Sequence, residues 1–382
     1  MRVTCAPDSF KESISAVDAA DAMALGIRQF SPQISIDCCP VGDGGDGTLE
    51  SLLASVQGQL VPAEVVNQNG IVIESEIGVF DNGSLAFVES AKAIGIANIA
   101  ATERNIMSAS SFGVGQLIKK AIDLSPERII VGIGGSSTTD GGCGMAQALG
   151  VEFFDAAGKL IEKPIGGADL LNIAAIDMSR QLKSNIPITV ACDVNNPLTG
   201  ANGAAQVYGP QKGATADQVK QLDNGLRHLA RVISQEYGCD IESMKGAGAA
   251  GGLGAGLYTF ASAQLESGID IVLDMVDFSG RIANADLCLT GEGRLDKQSL
   301  SGKACAGIAR EAHQAGIPVA ALVGSIGLNP DEWRELGITE TVSIGAGLSI
   351  EQSKLKAEEL LVSAARHIVT NFSMGKTKLT GH

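Results

Sequence analysis

The fold is decided by the stretch RVTCAPDSFKESISAVDAADAMALGIRQF, residues 2–30. Its first six residues form a short apolar run, which predicts a buried strand that ends in the polar turn DSFKES. Residues 14–30 then carry apolar side chains at helical spacing, with Ser13 as the expected N-cap. The same order follows at once, with a strand over 34–41, the loop GDGGDG and a helix over 48–56. Two β-loop-α units in succession predict a doubly wound parallel sheet.

The pattern changes after residue 60. Residues 60–90 hold three strand-like runs separated by QNG and DNG, and Asn-Gly is a strong signal for a tight hairpin, so these strands are expected to be antiparallel. Alternation of strand and helix returns near residue 285 and ends in a helix over 350–371. We therefore expect an α/β protein of two domains and a tail. These are a discontinuous Rossmann-like or flavodoxin-like domain (1–60 plus 285–372), an inserted α/β domain with a mixed sheet (61–284) and a disordered tail (373–382).

Composition limits the class of partner. The chain of 382 residues has 28 basic and 43 acidic residues, a net charge of −15, which argues against binding to nucleic acid or to an anionic membrane surface. No apolar run reaches about 18 residues, so no transmembrane helix is expected, and MRVTCAPDSF does not resemble a signal peptide. The eight cysteines form no CxxC motif, which predicts buried free thiols and a cytoplasmic protein. The four histidines show no ligand spacing, so neither a zinc site nor histidine-based catalysis is expected.

Five polar turns carry the candidate chemistry, and each follows a strand-like run. They are APDSFKES, PVGDGGDGT, GIGGSSTTDGG, ACDVNNPLTG and LTGEGRLDKQS. Because ligands of open α/β sheets bind at the carboxyl ends of the strands, such turns can converge on one cleft. Glycine amides bind anionic oxygens, carboxylates bind Mg²⁺, and Lys and Arg stabilise a phosphoryl group in transfer. The turns therefore predict phosphoryl transfer, with the loop 132–144 around a phosphate or a substrate carboxylate.

Several acidic residues in these turns also have a structural explanation. Asp43 and Asp46 could cap the helix that begins near Thr48, and Asp140 could cap the helical segment that follows it. Asp193 ends a strongly apolar strand, where an unpaired charge is costly, so a functional role is favoured there over a loop cap.

Two further turns combine both signs of charge. A lone lysine between a strand and a helix is usually solvated, but Lys11 shares its turn with Asp8 and Ser9, which favours a site. Glu292, Arg294 and Asp296 crowd the last turn, where a local ion pair is the structural alternative to a site role.

Two short matches to nucleotide-binding motifs are discounted. GAGAAG at 246–251 fits GxGxxG, but the preceding DIESMK is not a buried strand, as a dinucleotide site requires. SLSGKA at 299–304 contains Gly-Lys, but it lacks the first glycine and the final Ser or Thr of a P-loop.

The five turns, in this order, resemble the motifs of the bacterial glycerate kinase family, and the resemblance extends from about residue 3 to 370. GIGGSSTTDGGCGMAQALG, ACDVNNPLTGANGAAQVYGPQKGAT and LTGEGRLDKQSLSGKA are the longest matching stretches. The resemblance implies ATP-dependent, Mg²⁺-assisted phosphorylation of D-glycerate to 2-phosphoglycerate in glycerate or sugar-acid breakdown, in a cleft between two α/β domains. Two departures are small: Val41–Gly42 stands where the family more often has Val-Ala, and Asp46 where it often has Glu.

The resemblance also implies roles for individual residues. Asp193, Lys11 and Arg294 are the expected catalytic residues, with Asp193 as the base near the glycerate hydroxyl or, with Glu292, as a metal ligand. The residues expected to contact substrate or phosphate are Asp8, Ser9, Asp43, Gly44, Gly134, Gly135, Ser136, Ser137, Asn195 and Gly291.

Other functions stay open at this point. A glycerate 3-kinase or a kinase of another small hydroxy acid would need the same turns. An NAD-dependent 2-hydroxy acid dehydrogenase would need a true GxGxxG after a strand and usually a catalytic histidine, and a non-enzymatic acid-binding module would not need two anion loops with clustered carboxylates. The expected partners are D-glycerate and ATP, and the sequence leaves a homodimer open.

Overall fold

The computed structural model describes residues 1–297, 299 and 303–375. The strands are β1 (Arg2–Pro7), β2 (Ser35–Cys38), β3 (Gly58–Val66), β4 (Val72–Phe80), β5 (Leu85–Glu89), β6 (Arg128–Gly132), β7 (Glu152–Phe154), β8 (Ala175–Asp177), β9 (Ile188–Ala191), β10 (Gln264–Glu266), β11 (Leu287–Gly291), β12 (Arg294–Leu295), β13 (Val319–Val323), β14 (Ser325–Ile326) and β15 (Glu340–Ser343). The helices are α1 (Ala16–Phe30), α2 (Thr48–Ser55), α3 (Ala91–Ile94), α4 (Phe112–Asp123), α5 (Cys143–Ala148), α6 (Ala204–Tyr208), α7 (Ala216–Tyr237), α8 (Leu253–Ala261), α9 (Gly268–Met275), α10 (Phe278–Ile282), α11 (Ala304–Gln314), α12 (Pro330–Glu335), α13 (Ile350–Leu355) and α14 (Ala357–Ser373).

The chain divides into two compact units. The first contains Met1–Asp43, Gly47–Gln57 and the chain from Ser267 onward, and the second contains Gly44–Asp46 and Gly58–Glu266. The last segment of the first unit thus begins at 267, where the sequence placed a boundary at 285. The reason is that α9 and α10 pack on α11, so closely that a Cβ at Gly307 would lie 2.5 Å from Cγ1 of Ile269. The predicted disordered tail lies outside the described residues from 376 onward, and Ser373 still belongs to α14.

The first unit is built on a parallel sheet with the strand order β15-β13-β11-β1-β2. Apolar side chains of β1, β11 and β13 form its core with α1 and α14. A Cβ at Gly26 of α1 would lie 2.2 Å from the carbonyl oxygen of Val362, so the glycine lets the two helices approach closely. Ser15, not the predicted Ser13, is the N-cap of α1, because its hydroxyl accepts the amide of Asp18.

The second unit is built on a mixed sheet with the strand order β10-β9-β6-β5-β4-β3. The strands from β10 to β5 are parallel, and the two hairpins predicted from QNG and DNG make β5, β4 and β3 antiparallel. Helices α4, α5 and α8 cover this sheet, and α7 forms a second apolar cluster in which Phe153 and Phe260 meet edge to face. The predicted fold class, a parallel sheet and a separate mixed sheet, is confirmed.

All eight cysteines are free, and five of them are buried. Among the residues that the structure describes, no helix is both long enough and apolar enough to span a membrane.

Candidate active site

Three carboxylates meet at the carboxyl edge of the parallel sheet in the first unit. Asp8 directly follows β1 and Glu292 directly follows β11, and the preceding residues of the two strands are register partners. The amide of Asp8 donates to the carbonyl of Gly291 over 2.9 Å. The amide of Val41 donates to the carbonyl of Pro7, the last residue of β1, over 3.0 Å. The chain after β2 therefore runs alongside β1 and carries Asp43 to the same edge, as expected for neighbouring parallel strands.

Burial and neighbouring charge raise the pKa of two of these carboxylates, Asp8 and Glu292. Burial, the charge of Asp43 and the charge of Glu292 raise the pKa of Asp8 well above its ordinary value. Glu292 is only 6% exposed, and burial raises its pKa to about 7, with Asp43 acting in the same direction. A hydrogen bond of 2.7 Å from the Ser299 hydroxyl and the charge of Lys303 act the other way. The edge is thus a place where added positive charge would be favourable.

The other predicted residues of the first unit surround this edge. The amide of Ser9 donates to Oδ1 of Asp8 over 2.6 Å, and the exposed Lys11 lowers the pKa of the same carboxyl group. The exposed Arg294 places Nε 3.4 Å from Oδ2 of Asp296. The local ion pair that was the structural alternative for Arg294 is therefore present.

Gly291, the last residue of β11, is required by packing. A Cβ at this position would lie 2.3 Å from the carbonyl oxygen of Leu322 on the neighbouring strand. Its carbonyl accepts the amide of Asp8, so the residue positions that carboxylate through the backbone.

In the second unit, the loop after β6 packs against residues 44–46. The amide of Gly134 donates to the carbonyl of Gly44 over 3.1 Å, and a Cβ at Gly134 would lie 2.5 Å from Cα of Gly45. Gly135 has a φ of +73° and is exposed. Much of the glycine content of this loop therefore serves the close approach of two backbones.

The next residues of this loop divide into two kinds. Ser137 donates both its amide, over 2.9 Å, and its hydroxyl, over 2.8 Å, to the carbonyl of Ile94, so it holds the loop to α3. The amides of Gly135 and Ser136 donate to no acceptor within the described part of the chain. Of the four residues predicted to offer donors, Gly135 and Ser136 thus keep their amides available.

Asp140 fixes the far end of the same loop. One carboxylate oxygen accepts the amide and the hydroxyl of Ser111, each over 2.7 Å, and the group also accepts the amides of Gly142 and Gly144. Burial raises its pKa while these hydrogen bonds lower it. Asp140 thus accepts one amide from the first turn of α5, that of Gly144, although the N-cap residue of this helix is Gly142 and not Asp140.

Asp193 and Asn195 lie in the loop after β9. Asp193 is half-buried, two residues beyond the end of the strand, and Asn195 is exposed. Glu292 and Asp193, the two predicted metal ligands, belong to different units. Within the described ranges, no group of three or more His, Cys, Asp or Glu side chains is suited to hold a metal ion.

Comparison with known proteins decides the family. A family model described as the glycerate kinase family matches residues 3–373. The chain belongs to the glycerate kinase family. A glycerate kinase from Halalkalibacterium halodurans is 42% identical to it over 98% of this chain and 99% of the relative. A glycerate 2-kinase from Escherichia coli is 39% identical over 98% and 99%. The crystal structure of a glycerate kinase 2 from Salmonella typhimurium LT2 matches with a TM-score of 0.82 and 38% identity, over 98% of this chain and 99% of that one.

Membership of the glycerate kinase family confirms the resemblance seen in the five turns, and it makes the protein a phosphotransferase. The dehydrogenase alternative has no support. Residues 246–251 follow bends and turns rather than a strand, so the GxGxxG pattern lacks its structural context.

The buried charged residues that the sequence did not point to include Lys212 and Glu89. Lys212 is 3% exposed and lies in a 3-10 turn within the matching stretch GPQKGAT. Glu89 is fully buried at the carboxyl end of β5, as the register partner of Gly132, and its charge raises the pKa of Lys92. The only signal for Lys212 was that it is the single charged residue of its stretch, 209–215. Glu89 ended a strand-like run without a polar turn of its own.

Proposed function

We propose that the protein transfers the terminal phosphoryl group of ATP to the 2-hydroxyl group of D-glycerate, giving 2-phosphoglycerate, with Mg²⁺ bound to the nucleotide. The observation that carries this proposal is the family match over residues 3–373. The product is inferred from the Escherichia coli relative named glycerate 2-kinase, which is similar over nearly its whole length. The eight free cysteines favour a reducing compartment, so we place the enzyme in the cytoplasm.

The carboxylates of the first unit fit a divalent cation. Beyond the effect of burial, the charges of Asp43 and Glu292 raise the pKa of Asp8, and the charge of Asp43 raises the pKa of Glu292, so a cation among these groups would relieve their repulsion. Mg²⁺ in phosphoryl-transfer enzymes is commonly held by one or two carboxylates together with substrate phosphates and water, so a full set of protein ligands is not required. We assign Glu292 as the metal ligand, with Asp8 beside it. When bound, the ion would neutralise charge on the phosphates.

The second unit supplies hydrogen-bond donors and a base. The free amides of Gly135 and Ser136 suit an anionic oxygen. We assign Asp193 as the general base that accepts the proton of the attacking hydroxyl, and Lys11 and Arg294 as cations for the phosphates. That residues of both units act in one reaction is part of this proposal.

The test is incubation of the purified protein with D-glycerate and ATP-Mg²⁺, followed by ³¹P NMR of the product. A new phosphomonoester signal coupled to one carbon-bound proton identifies 2-phosphoglycerate. Coupling to a CH₂ group identifies 3-phosphoglycerate, which would keep the kinase and overturn the proposed position of transfer.

Two controls sharpen the result. Reactions with L-glycerate and with glycolate show whether the configuration at C2 and the hydroxymethyl group of the substrate are needed. Absence of any product from D-glycerate, in a protein that binds ATP-Mg²⁺, would overturn the proposed substrate and favour the alternative of another small hydroxy acid.

A further inference from the structure

The ammonium group of Lys212 is buried without a counter-charge in contact. Its Nζ donates to the hydroxyl of Ser136 over 3.1 Å and to the carbonyl of Thr138 over 2.7 Å. No carboxylate of the described residues lies within 4.0 Å of it. Because a buried, unpaired charge destabilises the folded state, a lysine at such a place calls for a reason other than stability.

Asp140 acts on Lys212 without pairing with it. It is the titratable group whose charge raises the pKa of Lys212, against the larger lowering by burial. Its own oxygens are occupied by donors from Ser111, Gly142 and Gly144. A second negative group could therefore approach Lys212 without competing for a partner.

Other hydrogen-bond donors lie close by. The hydroxyl oxygen that accepts from Lys212 belongs to Ser136, whose amide, like that of the exposed Gly135, has no acceptor in the described part of the chain. Arg104 donates over 2.9 Å to the carbonyl of Gln211, the residue before Lys212, and its buried Nε has no partner among the described residues. Unused donors and cations gathered in this way are suited to an anion.

We propose that Lys212, with the amides of Gly135 and Ser136, binds an oxyanion of a substrate. The ligand chemistry is a carboxylate or phosphate group, supplied by D-glycerate or by the nucleotide. The inference rests on the proposed function and adds to it a binding residue outside the predicted set.

The ionisation of Lys212 supports this role and offers a readout. Burial lowers the pKa of Lys212 to about 7, so a large part of the amine is neutral at pH 8. An anion at Nζ favours the charged form, and its binding would therefore be accompanied by uptake of up to about one proton.

The experiment is isothermal titration calorimetry at pH 8 with D-glycerate alone and with ATP-Mg²⁺ alone. Each titration is made in two buffers of different ionisation enthalpy, such as Tris and HEPES, so that the difference gives the protons taken up. The proteins are the wild type, Lys212→Met and Lys212→Arg. The expected result is that one ligand binds the Met variant roughly 30-fold or more weakly, while the other is unaffected.

The measured proton uptake distinguishes a Lys212 that binds a ligand from one that only holds the loop in place. The Arg variant keeps its charge at all pH values used, so we expect it to retain part of the affinity and to lose the proton uptake seen with the same ligand in the wild type. The affected ligand identifies whether a carboxylate or a phosphate binds there. The difference in proton uptake between the wild type and the variant excludes protons that are taken up or released by the carboxylates of the first unit.

Other outcomes would overturn the inference. One such outcome is that both ligands bind the wild type and that neither affinity nor proton uptake changes in the folded variants. Lys212 then only connects its 3-10 turn to the loop 132–144 through hydrogen bonds, and the proposed function stands. If neither ligand binds the wild type, the proposed function fails as well. Should Lys212→Met not fold, equal proton uptake in the wild type and Lys212→Arg would by itself refute the role.

Discussion

The hydroxyl of Ser299 donates a hydrogen bond to Oε1 of Glu292 over 2.7 Å, and both side chains are buried. The bond favours the ionised carboxylate, whereas burial and the charge of Asp43 favour the protonated form. Burial is the larger effect, and it raises the pKa of Glu292 to about 7. The group therefore stands near half-ionisation at neutral pH, where a nearby cation can readily complete its ionisation.

This raised pKa predicts a pH-dependent stability. Between pH 4.5, the ordinary pKa of this carboxyl group, and about 7, the unfolded chain loses the Glu292 proton while the folded protein keeps it. Stability should therefore fall as the pH rises through this window, by up to roughly 3 kcal/mol. The Glu292→Gln variant has no proton to lose at this position, so its free energy of unfolding should fall less than that of the wild type over the same pH range. Urea unfolding at pH 5, 6 and 7.5 measures the difference.

The matched control is Glu335→Gln, an exposed glutamate of α12 in the same unit. It should follow the wild-type profile within about 0.5 kcal/mol. Parallel curves for the wild type and Glu292→Gln would show that the folded protein does not hold this proton.

The same hydrogen bond predicts a shift in the activity profile. Removal of the hydroxyl in Ser299→Ala takes away a contact that lowers the pKa of Glu292, so this pKa should rise further. If ionised Glu292 holds the metal, the acidic limb of kcat/KM should move to higher pH by about one unit, with little change on the alkaline plateau.

Ser343→Ala serves as the comparison, since that hydroxyl donates to the carbonyl of Gly324 and bonds to no carboxylate of the residues that the structure describes. Steady-state rates between pH 5 and 9 suffice for both variants. An equal loss at every pH in Ser299→Ala would assign the serine to structure alone.

From the sequence, the proximity of segments in the fold could be predicted more reliably than the roles of their individual residues. Asp8 and Glu292 end apolar strands, and the neighbours of such strands in a parallel sheet follow from alternation with helices, so their meeting at one edge was foreseeable. Gly134 shows the limit. Phosphate binding and close loop packing both require a residue without Cβ, so the glycine pattern alone does not distinguish them.

Lys212 was missed for a different reason. A lysine in a loop stretch with glycine and proline residues is normally solvated, and only the tertiary structure shows that Lys212 is buried against Ser136 and Thr138. Sequence separation hides this contact, because the partners lie 76 and 74 residues away.

The close approach at Gly134 predicts a steric penalty. In Gly134→Ala the new Cβ would lie 2.5 Å from Cα of Gly45, and the hydrogen bond to Gly44 restrains the backbone from moving away. The free energy of unfolding should fall by about 1–3 kcal/mol, as for overpacked cores. Gly293→Ala is the control, because its Cβ would find its nearest neighbour at 3.7 Å, and it should leave stability nearly unchanged. Guanidinium unfolding of both variants tests this, and equal midpoints would contradict the steric explanation.

Two aspartates of the second unit, Asp140 and Asp193, should respond differently to substitution. Asp140 accepts four hydrogen bonds in a buried site, so Asp140→Ala leaves its donors unsatisfied and should lower stability by about 3 kcal/mol or more. Asp193 is half-buried in the loop two residues beyond β9, and if it is the base, Asp193→Asn should cause little loss of stability and about a 100-fold or greater loss of turnover. Thermal unfolding and steady-state kinetics on the same preparations separate the two roles. Near-normal turnover in folded Asp193→Asn would exclude the base assignment, because an amide cannot accept the hydroxyl proton.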